Sequence, residues 1–369
     1  MKRIAVIIGF ITIVLASSLA VAQAIIENPV KPDNPRAGRT VTLNEVMRIE
    51  DAGKDFYIKY VSGLKVAPDG SVFVNDSGAQ ILQFDPQGRF VRNLEKKGQG
   101  PGEVNFVYDI WPHGNQIILC GTPPKALVFG PEGKMIQEIS FRGAALGFGL
   151  FVDADEKRFL FSHSGRRDLK GGSGWKEFPQ DIIEIDRISG GVKTLCSFTL
   201  PGYVSTAGGG VGVTVYQPFI AIPTGSKSLL ISHTPDYLIK LIQSESGNPI
   251  RQFRRAYDRI KTKVSGNVTI TGGEQPPAPE FWADIQALHV VGNELWVQTS
   301  TVDPKKGFLI DVFNLEGRYI DRFYLKWSEK DVDPNIVWQK FTFSGGFVYF
   351  ADKTDEDLIV IKKCRLVGL

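Results

Sequence analysis

The sequence predicts an all-β chain: a six-bladed β-propeller of four-stranded blades, its last blade closed by a strand from the N-terminus. Three observations predict it. A four-strand unit recurs six times, its second strand is continuously apolar in every copy, and the last copy ends one strand short.

Met1-Lys2-Arg3 followed by the uncharged run Ile4 to Ala22 has the basic and apolar regions of an export signal. Ala20-Val21-Ala22 and Ala22-Gln23-Ala24 are small-residue cleavage patterns, and processing after Ala24 is the preferred reading. The rival is an uncleaved anchor, since the apolar run is nearly long enough to span a bilayer. No Cys lies near the cleavage region, so a lipid-modified N-terminus is not expected. The expected organisation is a signal peptide over 1–24, a lead-in over 25–39 whose Pro-rich part, Asn28 to Pro35, is exposed, and one propeller domain over 40–369. Periplasm or extracellular space is the expected destination.

Each of the first five units carries a marker turn before its fourth strand: Asp85-Pro86-Gln87-Gly88, Gly130-Pro131-Glu132-Gly133, Arg187-Ile188-Ser189-Gly190, Ser244-Glu245-Ser246-Gly247 and Asn314-Leu315-Glu316-Gly317. A closing Gly relieves the φ restriction of a tight turn, and Pro presets φ. The strand before each turn ends in Phe84, Phe129, Ile185, Ile242 or Phe313, so register is kept. The strand after it alternates, as in Met135 to Ile139, Ile250 to Phe253 and Tyr319 to Phe323, and reads as half-exposed. The second strands are Val72 to Val74, Ile117 to Leu119, Phe159 to Phe161, Leu229 to Ile231, Leu295 to Val297 and Phe347 to Phe350. Continuous apolar runs of this kind suit strands buried on both faces.

The sixth unit offers Lys340 to Phe343, Phe347 to Phe350 and Leu358 to Lys362, and no fourth strand follows. An open edge there invites aggregation. Thr40 to Ile49, with alternating Val41, Leu43 and Val46, is an orphan strand at the other end of the chain and is expected to close the ring.

Composition narrows the function. With 43% apolar and 22% charged residues the chain has material for a large core. The formal charge of +3 includes Lys2 and Arg3, so the processed protein is nearly neutral and is not expected to bind nucleic acid. Three Cys do not make a disulfide framework. Cys120, Cys196 and Cys364 lie in strand patterns and read as small buried hydrophobes. The protein is expected to be a monomer with no membrane contact beyond export.

Gly63-Leu64-Lys65-Val66-Ala67-Pro68-Asp69-Gly70-Ser71-Val72-Phe73-Val74-Asn75-Asp76, followed by Gly98-Gln99-Gly100-Pro101-Gly102-Glu103, resembles the exported bacterial six-bladed propellers related to NHL-repeat proteins. The match is good over blades one and two and degenerate over three to five. It implies the fold and a binding role, since such propellers serve many functions.

In this architecture the loops after the fourth strand and between the second and third crowd one end of the channel, where function is expected. Two are long: Pro201 to Gln217, rich in Gly, and Arg254 to Phe281. Tyr60, Tyr108, Asp109, Tyr216, Gln217, Trp282, Asp284, Trp338 and Gln339 stand at the starts of innermost strands and are expected to line the mouth. The alternative is that they pack adjacent blades. His163 and His233 fall in matching positions of adjacent blades, each after Ser, and form the best candidate for a metal or acid/base pair; His113 is expected at the opposite end. Arg166 and Arg167, near His163, would bind a carboxylate, or simply stand in an exposed loop.

Gly98, Gly100 and Gly102 do not make a phosphate loop, because Pro101 interrupts them and no Lys-Ser or Lys-Thr follows. Asp352, Asp355, Glu356 and Asp357 lack Ca²⁺-loop spacing, and no nucleophile elbow is present. No cofactor or metal is therefore assigned. The expected function is a binding module recognising a protein, peptide or glycan at the loop-rich face. The alternatives are a propeller enzyme, whether lyase, lactonase or glycan-cleaving and perhaps metal-assisted, and a scaffold that uses its edges.

Overall fold

The computed structural model of the chain describes residues 24–50, 56–77, 80–141, 149–164, 172–207, 210–215, 218–225, 227–262, 278–337 and 339–369. Every regular element among them is a strand. Two precede the repeat, β1 (Ile25–Asn28) and β2 (Arg39–Ile49). Blade 1 is β3 (Val61–Val66), β4 (Val72–Asp76), β5 (Gln80–Phe84) and β6 (Phe90–Asn93). Blade 2 is β7 (Phe106–His113), β8 (Gln116–Thr122), β9 (Lys125–Phe129) and β10 (Met135–Ser140). Blade 3 is β11 (Gly149–Ala154), β12 (Arg158–Ser164), β13 (Gly174–Asp186), β14 (Val192–Ala207) and a fifth strand, β15 (Gly210–Val215). Blade 4 is β16 (Ile220–Pro223), β17 (Ser228–Ser232), β18 (Ile239–Gln243) and β19 (Pro249–Arg255). Blade 5 is β20 (Ile285–Val291), β21 (Glu294–Asp303), β22 (Gly307–Asn314) and β23 (Tyr319–Lys326). Blade 6 is β24 (Thr342–Ser344), β25 (Phe347–Lys353), β26 (Ile359–Val367) and, from the far end of the chain, β2.

The sheets form a ring. Each innermost strand touches the next, β3 to β7, β11, β16, β20, β24 and back to β3. Among the described residues the core divides into six apolar clusters, one in each gap between neighbouring blades. Strand alternation explains the division. Val72 and Val74 of β4 face blade 6 while Phe73 faces blade 2. Leu160 of β12 faces blade 4 while Phe159 and Phe161 face blade 2. Side chains two apart share a face, so a strand between two sheets must be apolar at every position.

The N-terminal strand closes the ring as expected. From Thr42 to Ile49, β2 pairs antiparallel with β26 along Val367 to Ile361. Its first residues, Arg39 to Thr42, also run parallel to Phe323 to Lys326, which joins blades 5 and 6 into one eight-stranded sheet. The strap begins earlier than the sequence suggested. β1 pairs in parallel with Gln252 to Arg255 and adds a fifth strand to blade 4. Asn28 then donates to the carbonyls of Arg254 (3.1 Å) and Gly317 (3.0 Å) and accepts from the Tyr319 N–H (2.9 Å). Residues 25–49 thus tie blades 4, 5 and 6 together.

The five marker turns lie where expected, their closing glycines at φ between +69° and +83°. Conformation is half of their role. A Cβ on Gly133, Gly190, Gly247 or Gly317 would collide with Arg92, Ser140, Cys196 or Phe253, each on the outer strand of the preceding blade. For Gly88 of blade 1 the neighbours are Met47 and Ile49 of β2, so the N-terminal strand takes the place of the preceding blade's outer strand.

The cysteines are free: Cys120 and Cys364 are buried and Cys196 partly so, and burial pushes the Cys196 and Cys364 thiols up to about 11.

Two substitutions test this frame by urea unfolding. Asn28→Ala strips the hydrogen bonds that hold the strap and should cost about 1–3 kcal/mol. Gly190→Ala combines positive φ with the Ser140 carbonyl and should cost a similar amount. If Asn28→Ala unfolds at the wild-type midpoint, the Asn28 side chain does not hold the strap.

Candidate functional site

Strand direction sorts the connections. Marker turns and the turns joining first to second strands lie at one end of the ring, the turn end; connections between second and third strands and between blades lie at the other, the loop end. Pro201 to Gln217 is not the open loop that its glycines suggested. Pro201 to Ala207 continue β14, pairing with Gly174 to Glu177 on one side and Gly210 to Val215 on the other. Gly202 belongs there because its backbone lies against the Phe178 ring, which a Cβ would meet at 2.8 Å. The result is a three-stranded flag projecting from blade 3. Of the second long connection, 256–262 and 278–284 are described, and Lys261 bridges to Phe281 across its base.

Between the flag and this connection is a cleft of about 270 Å³ lined by Trp175, Pro201, Pro235, Arg259, Pro279, Glu280, Phe281 and Ala283. Trp175 is 54% exposed and meets Tyr203 edge to face at 5.7 Å. Arg259 stacks over Phe281 at 5.0 Å, with its Nε 3.2 Å from Asp284 and a terminal nitrogen 3.4 Å from Asp236. Asp284 is nearly inaccessible, and burial pushes its carboxyl up to about 6 although the Arg259 guanidinium pulls the other way.

The floor continues into the gap between blades 4 and 5. There the fully buried Asp311 accepts from Tyr237 (2.8 Å), Tyr319 (2.6 Å) and Arg255 Nε (2.7 Å). The Arg255 guanidinium is stacked near the rings of Tyr237, Tyr257 and Tyr319 at 4.9 to 5.4 Å. Burial opposes the Arg255 charge, yet Asp311 more than restores it and the guanidinium titrates above its ordinary range. No sequence motif announces this cluster, because its members come from four separate segments.

The expected mouth residues divide. Tyr60 stands exposed at the loop end, its N–H held by Asp76 at 2.7 Å, beside exposed Tyr57; Phe106 and Leu150, also exposed, start the next two innermost strands. Trp282 and Asp284 lie in the connection beside the cleft. Tyr108 instead turns into the gap between blades 2 and 3, where it bonds the Thr122 hydroxyl. Asp109 is buried and accepts the Phe151 N–H at 3.0 Å, clamping blade 2 to blade 3. Gln339 donates to the Ala351 carbonyl (3.0 Å) and its own carbonyl receives Gln298 (2.9 Å), clamping blade 5 to blade 6. Tyr216, Gln217, Trp338, Arg166 and Arg167 lie outside the described residues.

The histidine pair does not converge. His163 shares the face of Phe159 and Phe161, toward blade 2, whereas His233 packs on Phe198 of β14 (4.8 Å) from blade 4, so the sheet of blade 3 stands between them. Alternation separates them, since matching positions along two strands do not guarantee a shared gap. Burial and then Lys240, whose Nζ is 2.8 Å from Nε2, push the His233 imidazole down to about 4. His113 lies at the turn end against Glu156 at 3.4 Å. Among the described residues no group of His, Cys, Asp or Glu is arranged to hold a metal ion.

Comparison with known proteins agrees with the architecture. Residues 45–175 match a family model described as a six-bladed β-propeller. No curated protein matches. A crystal structure from Bacteroides fragilis NCTC 9343, of a protein described as exported, is 12% identical and superposes with a TM-score of 0.52 over 94% of this chain and 100% of that one. The β-propeller domain of Cps50 (Swd1) from Myceliophteria thermophila gives 12% identity, 88% of each chain and a TM-score of 0.44. BamB from Moraxella catarrhalis gives 10%, 88% and 99%, and 0.36. The chain is a six-bladed β-propeller closed by its N-terminal strand.

Asp284 gives the site a pH signature. Its folded pKa lies above the ordinary 3.8, so its burial costs nothing below about pH 4 and its full penalty above about pH 6. Between pH 4 and 7 the wild type should therefore lose on the order of 3 kcal/mol relative to Asp284→Asn, at about 1.4 kcal/mol per pH unit. Parallel stability profiles for the two proteins would remove the buried charge from the account.

Proposed function

We propose that this chain is an exported binding module that engages its ligand at the loop end, and that it is kin to the NHL-related bacterial propellers. Kinship is supported by Gly63 to Asp76 and Gly98 to Glu103, which fall inside the matched residues 45–175. Export is supported by the leader-like residues 1–24 and by the folded strap, whose first strand begins at Ile25, directly after the expected cleavage point. Among the described residues no helix is long and apolar enough to cross a membrane.

The observation that carries the reading is the grouping of Tyr57, Tyr60, Phe106, Leu150 and Trp175, large side chains between 40 and 65% exposed, at the loop end of blades 1 to 3. Aromatic side chains left in water on a rigid scaffold are the anchors of recognition surfaces. Binding is favoured over catalysis because Asp284, the carboxylate beside the cleft whose pKa is raised, is tied to Arg259 and the histidines do not meet.

Hydrogen exchange with size-fractionated cell-envelope extract as the probe tests the reading. Protection should appear at 56–60, 172–177, 201–205 and 256–262. Protection confined to the marker turns, or none with any fraction, would replace it with an edge-using scaffold.

A further inference from the structure

We propose that the cleft between the blade 3 flag and the blade 4 to 5 connection binds a neutral glycan, seating one sugar ring against Trp175 with its hydroxyls on Arg259 and Glu280. The proposal rests on the binding-module reading and assigns its ligand class.

Size comes first. At about 270 Å³ the cleft falls just below the ~300 Å³ at which small-molecule sites usually begin. It takes one ring-sized unit of a longer chain, not a folded surface. Its walls then choose the chemistry. Trp175 is a flat apolar face, and Arg259, stacked on Phe281, and Glu280 place a planar guanidinium and a planar carboxylate on the same lining. A pyranose presents the complement: apolar C–H faces above and below, and pairs of hydroxyls around the rim that both donate and accept. Arg259 is one-third exposed, and its contacts with Asp284 and Asp236 engage Nε and one terminal nitrogen of a group with five N–H donors.

Charge argues against an acidic ligand. The ion pairs at the cleft set two cations, Arg259 and Lys261, against three carboxylates, Asp236, Asp284 and Glu280. Both cations are thus already held by carboxylates, and a uronate or phosphate would have to displace one of them, whereas a neutral polyol would not. A peptide is disfavoured by the backbone. Pro201, Pro235 and Pro279 supply three of the eight lining residues and have no N–H, so an extended peptide would find few main-chain donors.

The test is calorimetry and tryptophan fluorescence on the exported protein with neutral hexasaccharides of glucose, mannose, xylose and N-acetylglucosamine, a hexagalacturonate, and a proline-rich decapeptide. At least one neutral hexasaccharide should bind. Trp175→Ala should weaken it tenfold or more and Trp175→Phe, which keeps a ring beside Tyr203, by less, and Arg259→Ala should weaken it comparably to Trp175→Ala. Neutral binding that survives Trp175→Ala would move the sugar elsewhere and overturn the assignment. Tighter binding of the galacturonate or the peptide, lost on Trp175→Ala, would overturn the glycan class yet leave the binding module standing. A panel in which nothing binds overturns the glycan class as well, while exchange protection by envelope extract decides the parent reading separately.

Discussion

The structure depends on one constraint: no sheet in the ring has a face of its own for water. Each lies between two others, so each second strand supplies both neighbours at once, as Val72, Phe73 and Val74 do in opposite directions. A missing blade edge would therefore open a gap that the other five cannot fill. The chain meets this by sending its first long strand to its last sheet, and Val41 and Ile49 of β2 are buried in the two gaps flanking blade 6. Closure between residues so distant in sequence carries a large loop entropy, which the parallel pairing to β23 and the Arg39–Asp321 ion pair at 2.9 Å help to offset.

The gap between blades 4 and 5 is held differently from the rest. Beside its apolar cluster sit Arg255 and Asp311, almost wholly buried. A buried ion pair gains little over apolar packing, but removing one partner strands the other at about 3–5 kcal/mol. What such a pair supplies is a defined arrangement. Tyr237 ties the pair to the site: its hydroxyl bonds Asp311 and its backbone N–H serves the Asp284 carboxylate, which in turn holds Arg259. The blade junction and the cleft wall thus share one hydrogen-bonded connection.

How much of this was legible follows from which interactions are local. The marker turns, the doubly buried strands and the orphan strand were readable because each is written in a few consecutive residues, such as Phe159 to Phe161 or Asp85 to Gly88. The flag was not, because Pro201, Gly202, Gly210 and Gly212 carry loop chemistry and become strand only when Gly174 to Glu177 and β14 itself supply the partners. β1 was hidden for the same reason, its four residues being too short to signal without the edge of β19. Asp109 and Gln339 were expected to line the mouth; Asp109 lies inside β7 and Gln339 just before β24, and the sequence could not show that contacts to the adjacent blade already occupy them. The cleft itself has no motif: its eight lining residues come from five stretches of chain.

The two ends of the ring differ in what they tolerate. At the turn end the glycines of blades 2 to 5 pack on the outer strand of the blade before, and Gly88 packs on β2, so a side chain at any of the five disturbs a junction rather than a turn. That end is fixed by the geometry of stacking. At the loop end the inter-blade connections vary from the short Gly98 to Glu103 bend, locked by Lys125 and Glu138, to the long connection beyond Arg255. Length, aromatic exposure and the cleft all gather where stacking imposes least. Variation in ligand can accumulate there without reopening the ring, which is the physical reason to look for recognition at that end rather than the other.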